Sequence, residues 1–456
     1  MANVRDMTVG KPARSILYFA LPLVLGYVLQ QLYQVVDAAI VGRWVGVEGL
    51  AAVGASSSIM FLVLGFCNGA CAGFSVPVAQ AFGAKDYSLM RQYVANAVRI
   101  GIWISVILTI PVCVFCSPIL RLVNVPEDIF HQAWIYLMLQ FLGIPLAIAY
   151  NLLAGFIRSL GNSKEPFYFL LISSATNIIL DLLFVIAFKW GVFGAAFATL
   201  ISQAVSASLC YSFIIRQMKM LIPVGEERRY DKEHVGHLLN NGIPMGLQFS
   251  ITGIGIIMLQ RSNNALGTVY VAAFTAAMRV KYVFTTVFEN IGVAMATYCG
   301  QNIGAKRLDR VKSGLKAATG IMLVYFVFTF AVIFPFADEM MSLFVDSSQK
   351  QIIEYASQLM RISNFFYPVL GMLTILRYSI QGLGYSTLSL MSGVMEMLAR
   401  TAFGLWVVPA WEWMGVCFAD PAAWCAADIF LFPAMYFLLR HLSKNIGKKD
   451  PESSSG

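Results

Sequence analysis

The sequence predicts an all-α integral membrane protein with twelve transmembrane helices in two six-helix lobes, related by a pseudo-two-fold axis along the membrane normal. Composition, the length of the apolar runs and an internal repeat carry this reading. Of 456 residues, 58% are hydrophobic and 12% charged, whereas soluble domains carry about 25% charged residues. A bilayer core about 30 Å thick takes roughly 20 apolar residues per helix. Backbone in lipid must be bonded internally, so spans are helices or strands of a closed barrel. The apolar runs here are long and continuous rather than alternating, which selects helices.

Twelve such runs lie roughly at 15–43, 50–82, 90–117, 129–154, 166–189, 192–217, 236–264, 270–301, 315–337, 351–379, 386–409 and 412–440. The first, second, seventh and eighth are long enough to require tilt or a kink. The repeat runs through them in order. "LAAVGAS" (50–56) answers "VAAFTAA" (271–277), and "QAFGAKD" (80–86) answers "QNIGAKR" (301–307). Pro22 answers Pro244; Pro145 with "RSLGNS" (158–163) answers Pro368 with "QGLGYS" (381–386). The offsets stay between 221 and 223 residues. Six spans per half give both halves the same orientation, the arrangement of transporters whose pathway runs between two rocking lobes. The expected division is an N-lobe at 1–217, a linker at 218–235, a C-lobe at 236–440 and a tail at 441–456.

The net charge of +8 is uneven along the chain. Arg43, Arg121, Lys189 and Lys350 fall in connections on one side. The other side takes Arg5, Lys11, Arg14, the basic residues of the connection 216–232, the cluster Lys306–Lys316 and the basic tail. The positive-inside rule places the second set, and both termini, in the cytoplasm. The polar stretch before the first span does not read as a cleaved leader. The eight cysteines lie in or beside apolar runs, and Cys113-Val-Phe-Cys116 lacks the partners of a zinc site.

Polar groups inside spans are costly and mark function. Asp37 has no Lys, Arg or His within five residues and ends a stripe of Gln30, Gln34 and Asp37 at helical spacing. Asn177 and Asp181 are four apart and share one face of span five. Thr199 lies in span six. At about 1.5 Å per residue, Asp37 sits roughly 9 Å, and Asp181 and Thr199 roughly 12 Å, from the outer ends of their spans. Two carboxylates, an amide and a hydroxyl at one level are suited to holding Na⁺ or a shared proton; burial and like charge both favour a bound cation there. The second half has Leu259 where the first has Asp37. Glu289 is a lone acid of span eight, and Glu396 and Arg400 are spaced to neutralise each other. Asp420 and Asp428 in span twelve are left open.

No metalloprotease, nucleophile-elbow, phosphate-loop or dinucleotide fingerprint occurs, so the chain is not read as an enzyme and no cofactor is expected beyond a coupling H⁺ or Na⁺. The four histidines lie at span ends or in loops.

"ALPLVLGYVLQQLYQVVDAAIVGRWVGVEGLAAVG" (20–54) closely resembles the first-span signature of multidrug and toxic compound extrusion (MATE) transporters. "GQNIGAKR" (300–307), "IRSLGNSKEP" (157–166) and "NIILDLLFV" (177–185) are similar to further signatures of that family, and the resemblance runs from about 15 to 440. It implies a V-shaped exporter of amphipathic, often cationic compounds in exchange for H⁺ or Na⁺, acting as a monomer in the plasma membrane without nucleic-acid partners. Asp37 with Asn177, Asp181 and Thr199 resembles the coupling site of the DinF-like branch, in which the first span bends near the position of Pro22. The NorM-like branch has an acid in span seven, and "PMGLQFSITGIGIIMLQ" (244–260) has none. Tyr33, Gln34 and Tyr136 are expected to line the substrate path. A lipid-linked-precursor flippase of the same superfamily is the alternative, though such proteins usually carry fourteen spans.

Overall fold

A computed structural model describes residues 4–346 and 348–448. Of the expected tail 441–456, residues 449–456 lie outside the described residues. The helices are α1 (Pro12–Ile40), α2 (Val47–Gly83), α3 (Tyr87–Val114), α4 (Cys116–Leu122), α5 (Glu127–Leu142), α6 (Ile144–Ser159), α7 (Lys164–Asp181) and α8 (Gly191–Gln217). They continue as α9 (Lys232–Asn264), α10 (Thr268–Gly304), α11 (Leu308–Ser342), α12 (Lys350–Phe365), α13 (Tyr367–Gly382), α14 (Ser386–Ala402) and α15 (Val408–Lys448). No strand occurs among the described residues.

Among the described residues, nine helical stretches are individually long and apolar enough to cross a membrane. Two more spans are bent pairs, α5–α6 broken by 41° and α12–α13 by 54°. The stretch Ser386–Asn445 breaks at Glu412, with φ 47° and ψ −124°, and so supplies two spans. The twelve expected spans are thereby found. The bends within spans four and ten were not expected. Each falls beside a repeated proline: Pro145 and Pro368 occupy the first turn of α6 and α13. Proline has no N–H to give the preceding turn, which frees the chain to change direction there. Pro335 has the same effect in α11, where Phe336 leaves helical geometry.

The chain forms two compact units. The first comprises Met1–Asp6 and Leu21–Gly246, the second Met7–Ala20 and Leu247–Gly456. The changeovers thus fall inside α1, one residue before Pro22, and inside α9, two residues after Pro244. These are the equivalent prolines of the repeat. The repeat is also visible in the backbone: Lys85 and Lys306, the lysines of the two "GAK" turns, have left-handed φ of 59° and 58°.

In the first unit α2 packs on α5 and α6, and α8 on α6 and α7. Phe74, Phe141, Phe156, Cys67, Cys71 and Cys210 lie in its core. The cysteines are free thiols packed as small apolar groups. The first half of α9 reaches α2 through glycine. A Cβ on Gly73 would stand 2.5 Å from Gly242 Cα, and one on Gly242 would stand 2.1 Å from Phe74 Cε1. Small residues at such a crossing let two backbones touch, the main source of helix cohesion in lipid.

The polar connection between α8 and α9 is fastened to α3. Arg91 forks onto Glu227, with Nε to Oε2 and a terminal nitrogen to Oε1, both at 2.6 Å. Ser88 Oγ donates to Glu227 Oε1 at 2.9 Å and the Val224 N–H to Oε2 at 3.0 Å. The side chain of Asn96 takes the Asp231 N–H at 3.3 Å and donates to the Arg229 carbonyl at 3.4 Å. His234 and His237 both pack against Tyr93. These bonds hold the Glu227 carboxyl well below its ordinary 4.5, at about 2, with the Arg91 bond the largest cause.

In the second unit α10 packs on α13, α11 and α12, and α14 on α15. The "GQNIGAKR" signature seats the segment before α1. Gln301 Oε1 accepts the Met7 N–H at 2.8 Å, and Asn302 Nδ2 donates to the Met7 carbonyl at 3.2 Å. Arg310 donates to the carbonyls of Met7, Val9 and Gly10 at 3.2, 3.2 and 3.0 Å.

Gly73→Val forces the Asn241–Gly242 backbone to move. It is expected to lower the thermal midpoint of the purified protein by the equivalent of about 1–3 kcal/mol, while Gly54→Ala, which meets nothing within 4 Å, leaves it unchanged. The Arg91–Glu227 fork also gives a pH dependence. A carboxyl whose folded value is depressed contributes stability that is complete above its unfolded value and is lost as pH falls toward its folded value. Between about 4.5 and about 2 the connection is therefore expected to become progressively cleavable by pepsin within 218–231. Glu227→Gln is expected to expose the same bonds already at the upper end of that window.

Candidate functional site

The first unit gathers its polar residues where α1, α5, α7 and α8 meet. Asp181 is fully buried, Asn177 is 2% exposed and Asp37 is half-buried. The Asp37 and Asp181 carboxyls approach within hydrogen-bonding reach of each other. Two carboxylates have no proton to form that bond. Unless one arrives, Asp37 Oδ1 and both Asp181 oxygens have no donor, and neither polar atom of the Asn177 side chain has a partner. Buried polar atoms in native proteins are nearly always bonded, so a cluster of such orphans marks a place shaped for a ligand.

The register of α7 against α8 places Asn177 and Thr199 near one height. Ser173 Oγ donates to the Ser202 carbonyl at 2.6 Å, which fixes the antiparallel register of α7 against α8. Four residues toward the end of α7, Asn177 comes level with Ala198 and Thr199. The Thr199 hydroxyl donates back to the Ala195 carbonyl at 3.1 Å, which leaves its oxygen lone pairs free to accept. Tyr33 lies within hydrogen-bonding reach of Gln30 and Gln34 and within electrostatic reach of both carboxyls. Tyr136 also senses both carboxyls and reaches Gln140. Gln34 is exposed. Pro22 lies within the continuous α1, fifteen residues before Asp37.

Sequence reading missed Gln140, Ser174 and Gln203. Gln140 is 8% exposed; its signal was its position four residues after Tyr136, on the same face. Ser174 Oγ and Gln203 Oε1 are buried without partners. A second missed feature is conformational. A π-helical turn, Val41–Val45, follows α1 four residues beyond Asp37, and another, Leu182–Ala187, begins directly after Asp181. Each carries a wide bond, Gly46 N–H to Val41 O at 3.2 Å and Phe188 N–H to Leu183 O at 2.9 Å. Such turns insert one residue and frequently occur at functional positions. Ile40, Val41, Val185 and Ala195 pack together in a small buried cluster. It closes the acidic level on the side toward Arg43 with apolar side chains, about one helical turn away.

The second unit is built differently. Arg377 bonds Glu396 and Ser392, the latter at 2.9 Å. Arg400 reaches Glu396 at 3.1 Å and Asp420 at 2.8 Å, and Lys281 bonds the other Asp420 oxygen. Glu396 and Arg400 do pair, as their spacing suggested, but as the middle of a five-member ladder. Lys281 and Arg377 were not singled out in the sequence, although each is a cation inside an apolar run. Glu289 Oε2 accepts the Tyr378 hydroxyl at 3.0 Å. By the 223-residue offset of "RSLGNS" and "QGLGYS", Arg400 stands where the first half has Asn177. A third π-turn, Phe403–Val407, follows it.

The MatE family model matches the chain twice, over residues 22–183 and 244–406. "Probable multidrug resistance protein YoeA" of Bacillus subtilis (strain 168) is 28% identical over 444 residues, 94% of this chain and 95% of that protein. "Multidrug export protein MepA" of Staphylococcus aureus (strain NCTC 8325 / PS 47) is 21% identical, covering 86% of this chain and 88% of its own. Among solved structures, "Outward-facing conformation of a multidrug resistance MATE family transporter of the MOP superfamily" superposes with a TM-score of 0.89 at 21% identity, covering 97% of this chain and 99% of that one. "Crystal structure of MATE in the bent conformation" gives 0.90 at 21% identity over 98% and 99%.

The contact between the two carboxyls yields a stability test. Asp181→Asn gives the pair an amide donor, so it is expected to raise the thermal midpoint at alkaline pH by the equivalent of about 1.5–3 kcal/mol, the worth of a hydrogen bond to a charged group. The gain is expected to shrink at acid pH, where a proton already joins the wild-type pair. A lower midpoint for Asp181→Asn at every pH would show that the carboxyls do not repel.

Proposed function

The chain belongs to the MatE family, and from that membership we propose that it is a secondary active multidrug efflux antiporter. It is a multi-pass membrane transporter, not an enzyme. In the proposed cycle it exports amphipathic organic cations across the plasma membrane in exchange for H⁺ or Na⁺, with both termini in the cytoplasm. Asp37 and Asp181 carry the coupling charge, and Asn177 and Thr199 complete the oxygen shell. One observation carries this reading: two carboxyls within bonding reach of each other, with three oxygens and a neighbouring amide unpartnered. A proton would join the two carboxyls; Na⁺ would sit between their oxygens and those of Asn177 and Thr199.

The names of the relatives from Bacillus and Staphylococcus support drug export. The composition of the first-unit site supports the DinF-like assignment. Cation loading removes the repulsion between α1 and α7 and favours their approach. Pro22, next to the residue at which α1 changes units, is the hinge that would absorb the movement, since proline lacks one helix bond. Tyr33, Gln34 and Tyr136, close to the acids, are the side chains through which substrate and cation would compete.

The test is ethidium efflux from proteoliposomes driven by an imposed pH gradient or an imposed Na⁺ gradient, each alone. Wild-type protein is expected to concentrate the dye against its gradient under at least one of them. Asp37→Asn is expected to lose this by roughly tenfold or more, the equivalent of ~1.4 kcal/mol, while still exchanging dye at equal concentrations. Undiminished gradient-driven efflux by Asp37→Asn would remove Asp37 from the mechanism.

A further inference from the structure

The second unit contains an acid that its own cations do not neutralise. The ladder Arg377–Glu396–Arg400–Asp420–Lys281 alternates in sign and ends on cations at both sides. It therefore carries one positive charge in excess. Two further acids, Glu289 on α10 and Asp428 on α15, lie within electrostatic reach of Arg377 and Glu396. With every group ionised, the seven carry one net negative charge inside a helical bundle. An uncompensated buried charge is strongly unfavourable, and one proton closes the count.

The hydrogen bonds say which acid takes it. Glu289 has a donor, the Tyr378 hydroxyl at 3.0 Å. Asp428 is 6% exposed, and its Oδ1 has no donor. No cation stands within ion-pair distance of Asp428 among the described residues. Around it are Arg377 from α13, Glu396 from α14 and Cys425 on its own helix. Among the described residues, α11 and α12, which also pack on α15, bring no titratable group that acts on it. A proton on Asp428 would supply the missing positive charge.

We propose that Asp428 is a second proton-binding carboxyl of this transporter, loaded and unloaded in the second unit, apart from the Asp37–Asp181 pair. The geometry on which this stands is a buried carboxyl with one unpartnered oxygen beside a ladder that is one charge short of matching its acids. Its place in transport rests on the antiport reading above; proton binding itself does not.

The experiment is an infrared titration of carboxyl groups in the purified protein reconstituted in lipid, across the neutral pH range. Wild type is expected to show two protonated-carboxyl components that titrate, one absent from Asp37→Asn and the other absent from Asp428→Asn. Glu289→Gln is expected to keep both. Asp428→Glu, which retains a titratable carboxyl, is expected to restore a component at a displaced pH. It also keeps the test valid if the asparagine variant does not fold. Two results would overturn the proposal: a titration of Asp428→Asn identical to wild type, or an Asp428 component that stays protonated at every pH. The same spectra are obtained whether or not dye moves, so failure of proton-driven efflux is read separately. Where efflux is proton-driven, Asp428→Asn is expected to reduce the protons taken up per dye molecule expelled and to keep dye exchange at equal concentrations.

Discussion

The first unit is organised around two carboxyls that meet without a donor between them. Like charges a few ångströms apart repel by several kcal/mol outside bulk water, and among the described residues no lysine or arginine is bonded to either one. The proposed coupling cation would complete the contact. Its surroundings follow from that need. Asn177, Gln203 and Ser174 offer polar atoms that the protein leaves unfilled. The apolar cluster of Ile40, Val41, Val185 and Ala195 keeps water from replacing the ligand from one side. Half-buried Asp37 leaves a route from the other.

The repeat explains why the second unit solves the same problem by other means. Where the first half has Asn177, the second has Arg400, whose guanidinium is bonded to Glu396 and Asp420. A tethered cation fills the position at which the first half has an unpartnered amide. An arginine cannot leave, so that position cannot exchange. A duplicated fold thus leaves polar atoms of one half unpartnered and satisfies those of the other largely with its own side chains. Keeping a buried ladder intact costs desolvation, and removing one member leaves its partner's charge bare. Such a ladder is suited to fixing the relative places of α10, α13, α14 and α15.

Most of the architecture was legible in the sequence because lipid leaves few choices. Run length gives the spans, and the repeat gives the two halves. That Asp37 and Asp181 lie at one height was legible because helical rise is regular over short distances. Where helices depart from regularity, the reading weakened. The bends at Gly143 and Phe366 fall inside single apolar runs, and hydropathy does not register a change of direction. The polar connection looked like a solvated linker because composition reports charge but not partners. Its Glu227 is bonded to residues 136 and 139 positions away. Lys281 and Arg377 escaped because a single cation does not interrupt a long apolar run. Their role depends on Asp420 and Glu396, each well separated from its cation in the chain.

The π-turns connect these observations. The three among the described residues follow Asp37, Asp181 and Arg400 within four positions. An α-helix rotates about 100° per residue, so one inserted residue turns everything beyond it to a new face. Before the insertion, α7 presents Ser173, Ser174, Asn177 and Asp181 inward. After it, Phe184 and Val185 are the buried positions. A regular helix would carry the polar stripe on toward the membrane end, where its groups would meet lipid or open a water path. The insertion ends the stripe at the acid and puts an apolar seal in its place. The same device follows α1 and α14, so both halves inherited a way to stop a polar face within one turn. In the first half that stop comes just past the two carboxyls; in the second it comes just past the arginine of the ladder.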